Sequence, residues 1–142
     1  MNDKTVTIYN YHKADKTESW HRTVISGTEY HYSTEKAVSS QGVIMRSQVL
    51  TIVIPKEADT EGKNYIDAVN YGRLSKEDAG RYWTINPSCN KDLVVCGAVI
   101  KEITDSYTIT DLKKDYQKSG VVSGFYDNTD SDLLKHYKAV CK

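Results

Sequence analysis

The apolar run at residues 49–54 constrains the fold more than any other segment. It reads Val-Leu-Thr-Ile-Val-Ile, and Pro55 follows it. Leu50, Ile52 and Ile54 share one face of a strand because side chains alternate, and the two valines add apolar character to the other face. A strand that is apolar on both faces is usually covered on both sides. The run therefore predicts a central β-strand that ends at Pro55, which cannot donate to a ladder.

Other segments rich in β-branched and aromatic residues recur along the chain. Gly27 falls between two of them and predicts a bulge or tight bend. Gly97 lies inside a long segment and predicts a bend or close packing. The turn-forming residues 127–132 predict a C-terminal hairpin. The further predicted strands cover residues 5–10, 20–25, 29–32, 82–85, 93–103, 106–109, 121–126 and 133–141.

Two short helices are predicted between the strands. Ser75 begins a pattern similar to a capping box, and Gly80 ends that single turn. Thr110 can cap the second helix. Leu112 and Tyr116 lie four residues apart in it and predict a buried stripe.

Together these elements predict the fold class. The 142 residues are enough for one domain with one core. Short strands without repeats bury their apolar faces best by wrapping or stacking. We expect residues 1–142 to form a single, mainly β domain, a compact antiparallel barrel or sandwich with one or two short helices and a long polar loop.

The composition argues against several classes of protein. The chain has 19 basic and 19 acidic residues, whereas a dedicated nucleic-acid binder usually carries a basic excess. No stretch approaches the ~20 apolar residues that cross a bilayer, so no membrane is expected. The N-terminus lacks the apolar region of a signal peptide, which predicts a protein made and kept in a cytoplasm. Cys89, Cys96 and Cys141 form no close pair and are expected to be small buried hydrophobic residues.

No combination of residues has the spacing of a catalytic, cofactor or metal site. His21 and His31 lie in segments that could pair, so a metal site with a cysteine is conceivable, but the paired spacing typical of structural zinc is missing. Asp127, Asp130 and Asp132 alternate as in a calcium loop, without the glycine and glutamate that such a loop needs. We therefore predict no catalytic residue, no cofactor and no metal.

The aromatic residues leave two functions open. Eleven tyrosines stand against one phenylalanine, and tyrosine suits both half-buried strands and surfaces that partners cover. Trp20 and Trp83 could stack on a sugar, which would make the chain a carbohydrate-binding module. Both tryptophans lie in predicted strands, where core packing is the more common role.

Residues 56–81 differ from the rest of the chain. They are polar, contain three glycines and show no sustained period. A stretch of this length without a period is often functional in a compact domain. Two interpretations are open: a solvated insertion, or a loop or arm that reaches a neighbouring protein. The candidate assembly residues in it are Lys56, Glu57, Asp59, Lys63, Tyr65, Tyr71 and Arg73.

Three parts of the chain are similar to one family. They read V-T-I-Y-N followed by W-H-R-T-V near the start, W-T-I followed by D-L-V-V-C-G in the middle, and D-N followed by H-Y-K-A-V-C-K at the end. They resemble small uncharacterised proteins encoded in the head–tail morphogenesis region of phages and prophages of Gram-positive gut bacteria. Tyr137 stands where that family has tryptophan, and Cys141 where glycine is expected.

This resemblance implies a structural virion protein rather than an enzyme. It suggests the head-closure protein, or stopper, of the phage neck: a ring, expected to be a hexamer, between the portal or adaptor proteins and the tail. Genomic DNA would pass through its lumen without sequence readout, and Lys63 and Arg73 could line that channel, although a solvated face is the more common role of such charges. A tail-terminator or other tail-tube protein is the alternative within this class, and a metal-dependent enzyme is a further alternative outside it.

Overall fold

Eight strands and three short helices make up the part of the chain that the structure describes. It is a computed structural model, and it describes residues 3–38, 40–42, 44–130 and 134–142. The helices are α1 (Ala68–Gly72), α2 (Lys76–Ala79) and α3 (Ile109–Asp115). The strands are β1 (Lys4–Ala14), β2 (Thr17–Val38), β3 (Ile44–Pro55), β4 (Asn64–Tyr65), β5 (Tyr82–Trp83), β6 (Leu93–Cys96), β7 (Ser119–Asp127) and β8 (His136–Cys141).

Six of the strands close into a barrel. Their order is β1-β2-β3-β8-β7-β6, and β6 pairs back with β1. Every neighbouring pair is antiparallel. The prediction of a mainly β fold with a compact antiparallel barrel is confirmed. Closure removes most of the free strand edges that an open sheet would expose.

A bulge in β2 lies where this strand changes its pairing partner from β1 to β3. Lys4 pairs with Thr28 and Thr5 pairs with Ser26, so Gly27 has no partner in β1. Gly27 has φ 81°, which glycine adopts without steric cost. After Thr28, β2 leaves β1 and pairs with β3. The bulge predicted at this glycine is confirmed.

The barrel interior is filled by the inward faces of the strands. Leu50, Ile52 and Ile54 of β3 are buried as predicted. They pack with Val6 and Ile8 of β1 in the main core cluster. The opposite face of β3 is only half-buried. The strand is nevertheless central, because from residue 50 to residue 53 it lies between β2 and β8.

A second apolar cluster covers the outside of β1 and β6. Tyr9, Leu93 and Val95 point away from the barrel interior and pack with Val99 and with Leu112 of α3. The Tyr9 hydroxyl donates to the Lys101 carbonyl oxygen over 2.6 Å. The irregular residues 97–108 and α3 therefore cover the outer face of β1 and β6.

The structure corrects two predicted strands and one helix start. The strand predicted at 93–103 ends at Cys96, because Gly97 adopts φ 97° and turns the chain, donating its N–H to the Thr5 carbonyl. No strand forms at 106–109. Thr108 caps α3 there instead of Thr110, in a capping box with Asp111.

Residues 56–81 contain β4, α1 and α2, which pack against the barrel. β4 pairs with β5 in parallel. Tyr71 of α1 and Ala79 of α2 are buried. Ser75 caps α2, and Gly80 follows its last residue, as predicted. Elements of two to five residues are too short to produce a sequence period, which explains why this segment showed none.

The predicted C-terminal hairpin is confirmed. β7 pairs with β8 from Val122–Cys141 to Asp127–Tyr137. The part of the predicted acidic loop and returning strand at residues 131–133 lies outside the described residues. Cys141 is fully buried in this hairpin, as the sequence predicted, whereas Cys89 and Cys96 are half-buried.

Candidate assembly surface

A long β-hairpin extends beyond the barrel. β3 pairs with β8 only from Leu50 onward, and β2 pairs with β1 only up to Thr28. From Ser33–Val49 to Val38–Ile44, six residue pairs join β2 to β3 beyond the last β3–β8 pair. We call residues 33–49 the arm. At roughly 3.3 Å per residue its paired strands extend about 20 Å.

The base of the arm is tied to the barrel. The Tyr32 hydroxyl lies 2.5 Å from Gln48 Oε1 and 3.3 Å from the carbonyl oxygen of Gln117. Gln117 belongs to the connection between α3 and β7. The Tyr32 hydroxyl therefore links the two strands of the hairpin at the root of the arm and also contacts the barrel side through Gln117.

Five of the seven predicted assembly residues line one groove. The groove has a volume of about 540 Å³ and lies beside residues 56–65. Trp83 and Tyr137 form its floor. The predicted residues that line it are Lys56, Glu57, Asp59, Lys63 and Tyr65. They come together because they belong to one short stretch of chain.

The other two predicted residues lie elsewhere, on or next to α1. Tyr71 is buried, and its ring packs perpendicular to that of His12 at 5.4 Å between centroids. Arg73 is exposed at the C-terminal cap of α1. Tyr71 thus holds the helix against β1 and presents no surface to a partner.

Lys63 serves as an anchor for its own segment. Its Nζ donates to the Arg22 carbonyl over 2.7 Å and to Thr23 Oγ1 over 3.0 Å. Desolvation by burial lowers the pKa of this amine. Two further contacts hold the same stretch to β2: Ser26 and Asp59 exchange backbone hydrogen bonds of 2.9 and 3.1 Å. The segment is therefore fixed to the outer side of β2 at its bulge.

The aromatic side chains near the groove are mostly covered. Tyr65 packs on Trp83 at 5.1 Å and on Tyr137 at 4.6 Å between ring centroids. Only 3% of Trp83 and 8% of Tyr137 is exposed. Trp20 is half-buried and packs edge-to-face against Tyr11. Neither tryptophan forms the exposed flat platform on which a sugar would stack.

A buried polar cluster joins β1 to the loop before β6. The Asp92 carboxylate accepts hydrogen bonds from Asn10 Nδ2 (3.0 Å), Tyr11 N (2.8 Å) and Asn86 N (2.9 Å). Cys89 Sγ lies 3.8 Å from the same carboxylate. Burial raises the pKa of Asp92 to about 6, and the donated bonds oppose that rise. Because its acceptors are already occupied, this carboxylate holds loops together and is not placed to act on a substrate.

The histidines do not converge on a metal site. His21 and His31 lie ten residues apart on the same strand, too far for one ion to reach both. His21 instead packs against His12 at 5.9 Å between ring centroids, and burial lowers its pKa to about 4. Among the residues that the structure describes, no three His, Cys, Asp or Glu side chains are spaced to hold an ion.

Comparison with known families gives one match. A family model described as a family of unknown function, DUF6751, matches residues 1–142. The chain belongs to this family. No curated protein and no solved structure matches the chain. Within the described ranges, no helix is long and apolar enough to cross a membrane.

Sequence reasoning missed the two most specific features of this family member. The strands predicted at 29–32 and 49–54 continue into the arm, where no strand was predicted, and only the pairing register shows that they extend past the barrel. The Asn10–Asp92 contact joins residues 82 positions apart. No local pattern reports a contact at that separation.

Proposed function

We propose that the chain is a structural virion protein of a tailed bacteriophage. In this proposal it is a component of the head–tail connector, a head-closure or stopper ring that joins the portal or adaptor to the tail and surrounds the DNA path. The three segments that resemble phage morphogenesis proteins support the phage assignment. The architecture, a small barrel with a projecting arm, supports a role in assembly.

The arm is the observation that carries the proposal. A closed barrel exposes few unpaired backbone groups, whereas the two strands of the arm have partners on one side only among the described residues. Such edges are templates for pairing with another chain. A monomeric protein would be expected to shorten or cover them.

The hydrogen-bonded cluster around Asp92 also favours a structural role over an enzymatic one. Asn10, Thr84 and Asp92 bond to one another and to backbone groups. An active site would be expected to hold titratable groups that face a cleft with unused donors or acceptors. The groove beside residues 56–65 is lined by exposed charges and by a lysine that is already engaged.

The helix content favours head closure over the tail-terminator alternative. The three helices have only five, four and seven residues. We expect tail-end neck rings to be richer in helix. The carbohydrate-binding alternative gains no support, because Trp83 is buried in the core cluster.

Deletion of the gene from a phage or prophage that encodes this chain tests the proposal. We expect the mutant to make heads and tails that do not join, visible by negative-stain microscopy, and wild-type protein supplied from a plasmid to restore joined particles. A plasmid with an early stop codon is the matched control. Joined, infectious particles from the deletion mutant would contradict the proposed role.

A further inference from the structure

We infer that residues 67–80 form a flap that opens from the barrel at acidic pH, when His21 beneath it takes up a proton. The flap contains α1 and α2 and carries Tyr71 and Arg73, two of the candidate assembly residues. Tyr71 is buried while the flap is closed, so opening would add its side chain to the surface. The inference concerns the fold itself and does not rest on the proposed phage role.

The two ends of the flap are held side by side. β4 precedes the flap and β5 follows it, and these strands pair in parallel, with Tyr65 opposite Trp83. The Ile66 N–H also donates to the Trp83 carbonyl over 3.0 Å. Trp83 belongs to the main core cluster. Residues 67–80 therefore form a closed loop that can leave the barrel without separating any pair of strands.

Hydrogen bonds stabilise the flap internally and do not tie it to the barrel. Asp67 and Ser75 cap its two helices. Among the described residues, every hydrogen bond and ion pair of residues 67–80 has its partner within residues 67–81. Helices of five and four residues are too short to be stable alone. The closed position of the flap therefore depends on packing against the barrel.

The flap packs against two imidazole rings. The Tyr71 ring lies perpendicular to that of His12, with 5.4 Å between the centroids. His12 in turn contacts His21, with 5.9 Å between the centroids. At the other end of the flap, a Cβ added to Gly80 would lie 3.7 Å from His21 Nδ1. The flap therefore covers the histidine pair, and a charge on that pair would lie beneath it.

A proton taken up by this pair is poorly compensated while the flap is closed. His12 is 2% exposed, and neither of its ring nitrogens has a hydrogen-bond partner among the described residues. The buried Tyr71 hydroxyl has none there either. His21 Nε2 lies 3.0 Å from Ser19 Oγ, which can accept a hydrogen bond but carries no charge. Because a buried imidazolium without a counter-charge is costly, its formation favours opening.

The basic groups around His21 add to this cost. Burial is the main reason why the pKa of His21 falls to about 4, and three nearby basic groups contribute: His12, Lys63 and Lys76. Lys76 belongs to α2, so it leaves His21 when the flap opens. In the open state we expect the pKa of His21 to return toward 6.5. The open state is therefore increasingly favoured as the pH falls from about 6.5 to about 4, with no further gain below that range.

The acidic side chains on the surrounding elements are engaged, balanced by a base or exposed to solvent. They are Glu61, Glu77, Asp78, Asp92 and Glu102. Glu61 accepts from the Val24 N–H over 2.9 Å, and Asp78 pairs with Arg81 at 3.4 Å. Asp92 accepts its hydrogen bonds from residues outside the flap. Glu102 lines the groove at His21 together with the oppositely charged Arg22, and Glu77 is exposed. Lowering the pH therefore acts on the flap chiefly through His21.

Amide hydrogen exchange of the full chain tests the opening. Exchange rates at about pH 7.5 and about pH 5 are divided by the intrinsic rates of an unstructured peptide, which gives an opening constant for each segment. We expect the flap to open more readily than β3 at both pH values, with little dependence on urea below the unfolding transition. We also expect the opening constant of the flap to rise roughly tenfold between the higher and the lower pH.

Replacing His21 tests whether this residue is responsible. His21→Gln should abolish most of the rise, because glutamine does not titrate in this range. His31→Gln, at an exposed position of the same strand, is the matched control and should keep the rise. Far-ultraviolet circular dichroism shows whether each variant is folded, and the shorter His21→Asn replaces His21→Gln if glutamine unfolds the chain.

Any of three results would overturn the inference. The first is a flap whose amides exchange no faster than those of β3, which would mean that the flap does not open separately from the barrel. The second is an opening constant that is the same at both pH values. The third is a folded His21→Gln or His21→Asn variant that keeps the full rise.

Discussion

The side-chain amide of Asn10 and the backbone of Thr84 exchange two hydrogen bonds at the edge of the barrel. Asn10 Nδ2 donates to the Thr84 carbonyl over 2.6 Å, and the Thr84 N–H donates to Asn10 Oδ1 over 3.2 Å. Both residues are buried. The amide thus replaces a missing strand neighbour and holds the chain after β5 against β1.

Replacing Asn10 with alanine is expected to destabilise the fold by about 2–3 kcal/mol, because the backbone N–H and C=O of Thr84 would stay buried without partners. Urea denaturation followed by tryptophan fluorescence measures the change. Asn64→Ala, at an exposed position in β4, is the control and should change the free energy of unfolding by less than about 0.5 kcal/mol. Equal effects of the two substitutions would contradict this role for Asn10.

Asp92→Asn tests the hydrogen bonds of this cluster separately from its packing, because asparagine has nearly the same shape as aspartate. One carboxylate oxygen accepts from Tyr11 N, and the other accepts from Asn86 N and Asn10 Nδ2. In either orientation, the new amide group of Asp92→Asn would face a backbone N–H. We expect a loss of about 2 kcal/mol at neutral pH in urea denaturation. Asp105→Asn, on an exposed bend, should have almost no effect, and a neutral Asp92→Asn would refute the proposed network.

Gly120 lies where β7 approaches the end of β8 most closely. A Cβ at this position would lie 2.8 Å from Cys141 Cβ and 3.1 Å from the backbone nitrogen of Lys142. Gly120→Ala is therefore expected to lower the free energy of unfolding by about 1–3 kcal/mol, since the backbone must move. Gly124→Ala in the same strand meets only ordinary contacts, the nearest atom being Val140 Cβ at 3.8 Å. Thermal denaturation should separate the two variants, and equal melting temperatures would contradict the close approach.

The pH dependence of stability should contain a contribution from His21. Its pKa is lowered from 6.5 to about 4, chiefly by burial. As the pH falls below 6.5, the unfolded chain binds a proton that the folded chain does not, so stability is lost until the folded chain also protonates near pH 4. The pKa of Asp92 is raised to about 6, so this group makes stability increase as the pH falls through part of the same range. Wild type and His21 variants share this contribution of Asp92, so it cancels when they are compared.

The comparison of wild type with His21→Gln isolates the histidine. We expect the wild type to lose stability relative to this variant as the pH is lowered from about 7 to about 4.5, measured by urea denaturation at each pH. His31→Gln, at an exposed position of β2, is the matched control and should follow the wild type. A difference between wild type and His21→Gln that does not change with pH would show that His21 titrates normally.

Much of the barrel could be predicted because its signals are local. The alternation in β1 and β3, the stop at Pro55 and the bulge at Gly27 each depend on a few adjacent residues. Gly97 was misread because a glycine that bends a strand and one that ends it look alike in sequence, and only its φ of 97° separates them. The cap at Thr108 was missed although its pattern, threonine followed three positions later by Asp111, was present.

The candidate assembly surface could be predicted only where its residues are adjacent in the sequence. Residues 56–65 line one groove because they adjoin in the chain, whereas Tyr71 is taken into the core by its packing on His12. The arm depends on the register between β2 and β3 and on the residue at which β3–β8 pairing ends. Neither can be predicted from one segment of the sequence alone. Long-range pairing is what a sequence period does not report.

The proposed place of this chain in a phage neck is tested most directly by one measurement. Particles released by bacteria whose genome carries the gene are purified and reconstructed by cryo-electron microscopy without imposed symmetry at the head–tail junction. The proposal predicts a ring of this barrel between portal and tail. A fully interpreted neck that contains no copy of this fold would contradict it.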